Sequence, residues 1–257
     1  MIPFLLASIV SLTNEFGSVC IDTFGARILS YEPTGEREVF FNQSEEHRTN
    51  QWCHGGVPIC WPWFGRNGDP GSPLHGFAFS REWTLDRLDN GSGESSAVFR
   101  LEERGSFRLS YEVHLGAELS LKLTMRNLGR ERFVVTTGFH PYFSVSHPEN
   151  VSVITPDGSI ACHGTMDGGR PFGPGAYRIV DSGWSRSVEL KSVGNNKLVI
   201  WNIGPDEMVD GLRKGDWTKY LCVEPAVLPR CDGFYLNPDQ TYVIGMSCRA
   251  RKMERNP

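Results

Sequence analysis

The stretch 107-FRLSYEVHL-115 places an apolar side chain at every odd position and a polar one at every even position. A helix would scatter the odd positions around its surface, whereas an extended strand sets them all on one face. After Gly116, Ala117 and Glu118 the same alternation resumes in 119-LSLKLTMRN-127. The pair reads as an antiparallel hairpin with one packed face and one wet face. His114 falls on the wet one.

Working outward, further strand-like runs appear at 133-FVVTTGF-139, 151-VSVIT-155, 188-VELKSV-193, 198-LVIWN-202, 220-YLCVEPAV-227 and 241-TYVIGMSC-248. Turn clusters at 67-NGDPGSP-73, 90-NGSG-93 and 167-DGGRPFGPG-175 separate them. No segment sustains a helical period, and 204-GPDEMVDGLRKGDW-217 allows one short helical turn at most. The 28 glycines and 16 prolines are spread along the chain and mark neither a linker nor a repeat. The expectation is one all-β domain over residues 1–257, a large antiparallel sandwich. The run 198-LVIW-201 suggests inner strands covered on both faces.

Composition sets the limits. In 257 residues, 39% hydrophobic and 22% charged content are globular values. A net charge of −4 gives no electrostatic case for nucleic acid or an anionic membrane as partner. The segment 1-MIPFLLASIVSL-12 has the length of a secretory core but lacks a positively charged start, and it reads as a buried first strand. No run approaches the ~20 apolar residues of a membrane-crossing helix. Seven cysteines (Cys20, Cys53, Cys60, Cys162, Cys222, Cys231, Cys248) at irregular spacings suggest reduced thiols in the cytoplasm. The basic tail 249-RARKMER-255 reads as a solvated end.

The chemistry gathers around a few positions. The segment 52-WCHGGVPICWPWFG-65 holds three of the seven tryptophans beside three glycines and two prolines. Glu224 sits inside the apolar run 221-LCVEPAV-227, where lost hydration raises a carboxyl towards the range of a general base. An edge-strand glutamate paired with arginine is the plainer alternative. His140, in 137-TGFHPYF-143, repeats the pattern of an ionisable residue followed by proline. It titrates near neutrality, although a core histidine bonded to backbone would look the same. His75 in 73-PLHGFAF-79 and Asp210 in 204-GPDEMVDG-211 are weaker signals alone. No histidine pair has metal-ligand spacing, no glycine loop leads into a helix to hold phosphate, and no serine elbow is present. A histidine and a glutamate remain as an acid/base pair, with no metal and no cofactor expected.

Together, 55-GGVPICWPWFG-65, 74-LHGFA-78, 139-FHPYF-143, 201-WN-202 with 208-MVDG-211, and 222-CVEPA-226 resemble the aldose 1-epimerase (galactose mutarotase-like) superfamily. The closer resemblance is to its glucose-6-phosphate 1-epimerase, or hexose-6-phosphate mutarotase, branch. The resemblance implies an all-β, antiparallel β-supersandwich and a cofactor-free exchange of aldose anomers, the partner being a small sugar or sugar phosphate. It casts Glu224 as the base at the anomeric hydroxyl and His140 as the acid at the ring oxygen. His75 and Asp210 would bind the sugar, the loop around Asp210 matching least closely. We expect at least one of Trp61, Trp63 and Phe64 to line the pocket, with the glycines admitting the backbone to the ligand. The phosphate-specific branch carries arginine at two positions that here are His54 and Phe79. Arg66 or Arg81 is the expected substitute, the latter because positions 79 and 81 of a strand face the same way. A sugar-binding protein without activity and a glycosidase or lyase using Asp210 and Glu224 are the rival readings. A monomer is the expected state.

Overall fold

The computed structural model describes residues 9–43, 52, 54–229 and 234–253. The start of the apolar run 1–12, His47, Cys53, Cys231 and the end of the basic tail lie outside the described residues.

The chain is built of antiparallel strands. Strands β1 (Ile9–Asn14), β2 (Gly17–Asp22) and β3 (Arg27–Pro33) form a three-stranded sheet. After β4 (Ile59–Cys60), four strands meander side by side: β5 (Thr84–Asn90), β6 (Ser95–Glu103), β7 (Phe107–Leu115) and β8 (Leu119–Asn127). Short strands follow, β9 (Phe133–Val134), β10 (Thr137–Phe139) and β11 (Tyr142–Ser144). Next come β12 (Val151–Thr155), β13 (Gly158–Ala161), β14 (Met166–Arg170), β15 (Gly175–Asp181) and β16 (Arg186–Val193). The last four are β17 (Lys197–Asn202), β18 (Tyr220–Val227), β19 (Tyr235–Leu236) and β20 (Thr241–Lys252).

Nine strands make the largest sheet, in the order β13-β12-β15-β16-β20-β8-β7-β6-β5. A second sheet runs β14-β17-β18-β10-β4, with β11 also paired to β18. Among the described residues helical structure is limited to three 3₁₀ turns, and no helix is long and apolar enough to cross a membrane.

The hairpin at 107–127 forms in the register its alternation demands, with Leu115 opposite Leu119 and Phe107 opposite Asn127. Its odd residues are buried and its even ones half-buried or exposed, and His114 lies outside beside Glu94. The buried face meets the inner face of the second sheet, where Phe139, Leu198, Ile200, Leu221 and Val223 join the same hydrophobic cluster. Tyr111 and Phe139, with ring centroids 6.0 Å apart, bridge the two layers. That cluster runs from Val10 to Ala250, so both ends of the described chain feed one core.

Some expectations need correction. The glycine-rich segment at 167–175 is not all turn, because β14 pairs along β17 from Met166 to Arg170. The run 133–139 breaks into two strands that belong to different sheets. Strand β1 is only half-buried, with Ile9 and Ser11 exposed on an outer edge. Strand β5, 84-TLDRLDN-90, gave no periodic signal because nearly all of it is exposed at the edge of the large sheet, where charge discourages further pairing.

The double burial expected of 198-LVIW-201 is observed for Leu198, Val199 and Ile200, while Trp201 is only half-buried. Strand β18 is buried at all eight positions. Leu123, fully buried in β8, anchors the hairpin face. Leu123→Ala is expected to lower unfolding stability by about 2–5 kcal/mol, measured by urea denaturation.

Candidate active site

Strand β18 is flanked on one side by β17 and on the other by β10 and then β11. Gly138 pairs with Ala226, and beyond a gap Tyr142 pairs with Cys222 in the same register. His140 therefore stands directly opposite Glu224, and directly opposed residues share a face. Pro141 and Pro225 lie within the gap, and neither has an N–H to offer a ladder. The His140 N–H instead donates to the Pro58 carbonyl, on the β4 side.

This face points away from the main core. His140 Nε2 lies 3.5 Å from Glu224 Oε2, and the two residues are 5% and 0% exposed. Both Glu224 oxygens and His140 Nδ1 are buried without a hydrogen-bond partner. Glu224 is thus not the arginine-paired edge residue of the plainer reading. Its carboxyl is pushed well above the usual range, first by burial and then by Asp167. Asp167 reaches the neighbourhood through β14, opposite Trp201 of β17. His140 is pushed well below the usual imidazole range by burial, then by His75 and His54. Both shifts favour uncharged forms, a carboxylic acid beside a neutral imidazole.

His75 comes from a tight turn and has φ 63°, with Gly76 following at φ 80°. A Cβ at Gly76 would lie 2.0 Å from the Trp61 carbonyl oxygen, so only glycine permits the approach. The Trp61 N–H donates to the His75 carbonyl, and the Phe77 N–H donates to that of Trp61. His75 Nδ1 accepts the Gly65 N–H at 3.1 Å, with Cys60 Sγ 3.4 Å away. An accepting Nδ1 leaves the neutral ring's proton on Nε2. Burial, aided by His54, lowers the His75 pKa to about 3, so this ring is a neutral donor.

Aromatic rings wall the site. Phe64 lies nearly parallel to His140 at 6.2 Å and edge-on to His75 at 5.0 Å. A Cβ at Gly138 would come within 3.0 Å of the Phe64 ring, which makes that glycine a seat for it. Trp52 spans His75, Phe79 and His140 at centroid distances of 4.2, 5.0 and 5.2 Å. Its Nε1–H donates to Tyr142 Oη, which also bonds His54 Nδ1 at 2.9 Å.

The expected site residues separate into three groups. His75, His140, Glu224, Phe64 and His54 come together. Trp61 does not join them: it is 1% exposed and packs on Phe77, Phe107 and Phe133 in the main core. Trp63 turns to Phe77 and donates to the Pro73 carbonyl, outside the His140 group. Arg66 and Arg81 are exposed, and the Arg81 guanidinium lies over the Phe77 ring. Asp210 is exposed on the loop before Gly211, which abuts the His54 ring. Gly55 and Gly56 admit Asn42 and the Ile28 carbonyl, so their close approach is to the chain itself and not to a ligand.

Sequence reasoning missed Trp52, Tyr142, Trp201 and Cys222 as neighbours of the pair. The strand period could have found two of them, since Tyr142 and Cys222 each lie two residues from the pair on the same face. Metal-ligand spacing was absent from the sequence, yet the fold gathers ligand atoms of His140, Cys222 and Glu224 within 4.8 Å of one another.

The antiparallel β-sandwich is the fold shared with structures of mutarotase-like proteins. The model of the aldose 1-epimerase family matches residues 8–162, and the chain belongs to that family. The matched part includes His75 and His140 and ends before Glu224. A Salmonella typhimurium protein named "Putative glucose-6-phosphate 1-epimerase" is 29% identical over 228 residues, covering 78% of this chain and 76% of its own. An Escherichia coli protein of the same name is 32% identical over 136 residues, or 50% of this chain and 46% of its own. The crystal structure of a "putative mutarotase" from Salmonella typhimurium superposes with a TM-score of 0.86 at 21% identity, over 95% of this chain and 90% of that one.

The tautomer and low basicity of His75 are directly measurable. Its ring is expected to stay in the neutral Nε2–H form on acidification to within a unit of its pKa of about 3. Nitrogen-15 chemical shifts followed through a pH titration check this, and protonation near the ordinary histidine value would contradict it.

Proposed function

We propose that the protein interconverts the α and β anomers of an aldose, with Glu224 and His140 as the acid/base pair. The observation that carries this reading is their direct opposition in one sheet register, buried and with both carboxylate oxygens free of partners. A buried polar group without a partner costs stability, and a role in binding or catalysis is one reason to retain it.

In the reaction Glu224 takes the proton of the anomeric hydroxyl while His140 protonates the ring oxygen. The ring opens, the aldehyde turns about the C1–C2 bond, and closure on the other face reverses both transfers. Ring opening in effect carries one proton from imidazolium through the sugar to carboxylate. It starts from the ionised pair, which burial disfavours, and ends with the neutral pair that burial favours, so transfer of the Glu224 proton to His140 must precede the step. The neutral His75 Nε2–H is placed to donate to a sugar hydroxyl, and Phe64 and Trp52 offer faces for the C–H surface of the pyranose. His54 and Asp210 are assigned to hydroxyl recognition at the loop side.

The names of the relatives point to glucose 6-phosphate as substrate. A second reading, an uncharged aldose, is favoured by what surrounds the pair. Phe79 is buried against Trp52, His54 is bonded to Tyr142, and Arg66 and Arg81 are exposed. A phosphate dianion is best held by guanidinium groups in a forked arrangement.

The test is anomeric exchange by NMR with glucose and glucose 6-phosphate. Wild type is expected to accelerate exchange of free glucose at least as well as of the phosphate. Glu224→Gln is expected to lower exchange by ~10²–10⁴-fold. A strong phosphate preference abolished by Arg66→Ala or Arg81→Ala would assign that grip to the arginine. No exchange with any aldose, alongside retained sugar binding, would overturn the epimerase reading in favour of a binding protein.

The pH profile gives an independent check. Activity requires one proton on the pair. The second proton binds only below the ordinary histidine range, because His140 is lowered, and the last leaves well above the ordinary carboxylate range, because Glu224 is raised. The acid limb of kcat/KM is therefore expected below the ordinary histidine range, and an acid limb centred at an unshifted histidine value would contradict the assignment.

A further inference from the structure

We propose that His140, Cys222 and Glu224 form a site for a thiophilic divalent cation, with zinc as the type ion, and that its occupation blocks anomeric exchange. Cys222 lies two residues before Glu224 on the same face of β18, opposite Tyr142. One ligand atom from each residue lies within 4.8 Å of the other two, and all three side chains are buried. Zinc bonds nitrogen, oxygen and sulfur at ~2.0–2.3 Å, so neighbouring ligands of a tetrahedral centre stand roughly 3.3–3.8 Å apart. The separation of 3.5 Å between His140 Nε2 and Glu224 Oε2 already falls in that interval. The sulfur needs a shift of at most about 1 Å to complete the set.

A second observation points the same way. Both Glu224 oxygens are buried and unbonded, so a cation meets lone pairs that no protein donor has claimed. Charge balance adds to this. Thiolate and carboxylate together cancel the two positive charges of the ion, and a neutral centre avoids the cost of burying net charge. The mixed nitrogen, sulfur and oxygen set suits zinc or cadmium and disfavours magnesium and calcium, which prefer all-oxygen cages. Coordination releases the thiol and carboxyl protons to solvent. It also withdraws the lone pairs that the anomeric hydroxyl and ring oxygen would otherwise engage, so metal and sugar exclude each other.

The inhibitory half rests on the epimerase reading, whereas the binding half rests on geometry alone, and two readouts separate them. Cadmium titrated into the whole chain is followed by its thiolate charge-transfer absorbance. Zinc is titrated into the anomeric-exchange assay. Cys222 takes no part in the proposed proton transfers, so Cys222→Ala is expected to retain exchange. The wild type is expected to show the absorbance with one equivalent of cadmium, and Cys222→Ala to lose it. Half-inhibition by zinc is expected to require at least about ten-fold more metal in the variant. Cys222→Ser, checked for folding by its melting transition, replaces the alanine variant if that one does not fold. Absorbance that survives the substitution, no absorbance in wild type, or metal binding without inhibition of an active chain would each overturn the proposal. A chain that exchanges no aldose yet loses the band on substitution would keep the metal site and sink the proposed reaction instead.

Discussion

The structure depends on a backbone register held across a gap. Strand β18 pairs with β10 on one side of the gap and β11 on the other without slipping by a residue. A slip of one would turn Glu224 into the main core and bring Val223 to the site face. The register is secured by apolar alternation, since Leu221, Val223 and Val227 must face the large sheet. The two prolines in the gap remove N–H groups that would otherwise require partners there. Hydrophobic patterning on one face thereby positions His140 and Glu224 on the other.

That position sets the electrostatics. Burial is the first cause of both the raised carboxyl and the lowered imidazole, and neighbouring charges come second. His75 contributes in two ways: it adds to the depression of His140, and its own ring is locked as a neutral donor by Gly65. The cluster at His54, His75 and His140 therefore sits together without three like charges. Each ring is oriented by packing against an aromatic neighbour.

Much of this was legible in the sequence, and the exceptions have physical reasons. The 107–127 hairpin and β18 declared themselves because one face is buried and the other is not, or because the whole run is buried. His140 and Glu224 were visible as ionisable residues embedded in apolar runs. Their opposition was not, because cross-strand register is a property of two segments far apart in the chain. Edge strands such as β5 and β14 were missed because exposed pairing needs no hydrophobic period. Of the three aromatics among which at least one was expected at the site, Phe64 joins His75 and His140 while Trp61 turns into the core. Trp63 and Phe64 face different neighbours, and Trp52 gave no local signal that its indole would bridge His75 and His140. The grouping of His140, Cys222 and Glu224 escaped for the reason the opposition of His140 and Glu224 did: its histidine comes from a distant segment of the chain.

The two halves of the site have different origins in the chain. His140 and Glu224 stand on the sheet, at positions where any backbone change disturbs the core behind them. Trp52, His54, Phe64, His75 and Asp210 come from the connections between strands, where side chains can be exchanged with little consequence for the layers beneath. The molecule thus separates transformation from recognition. On the proposed reading, new sugars would be admitted by altering the connections, while the path of the proton would be inherited intact with the fold.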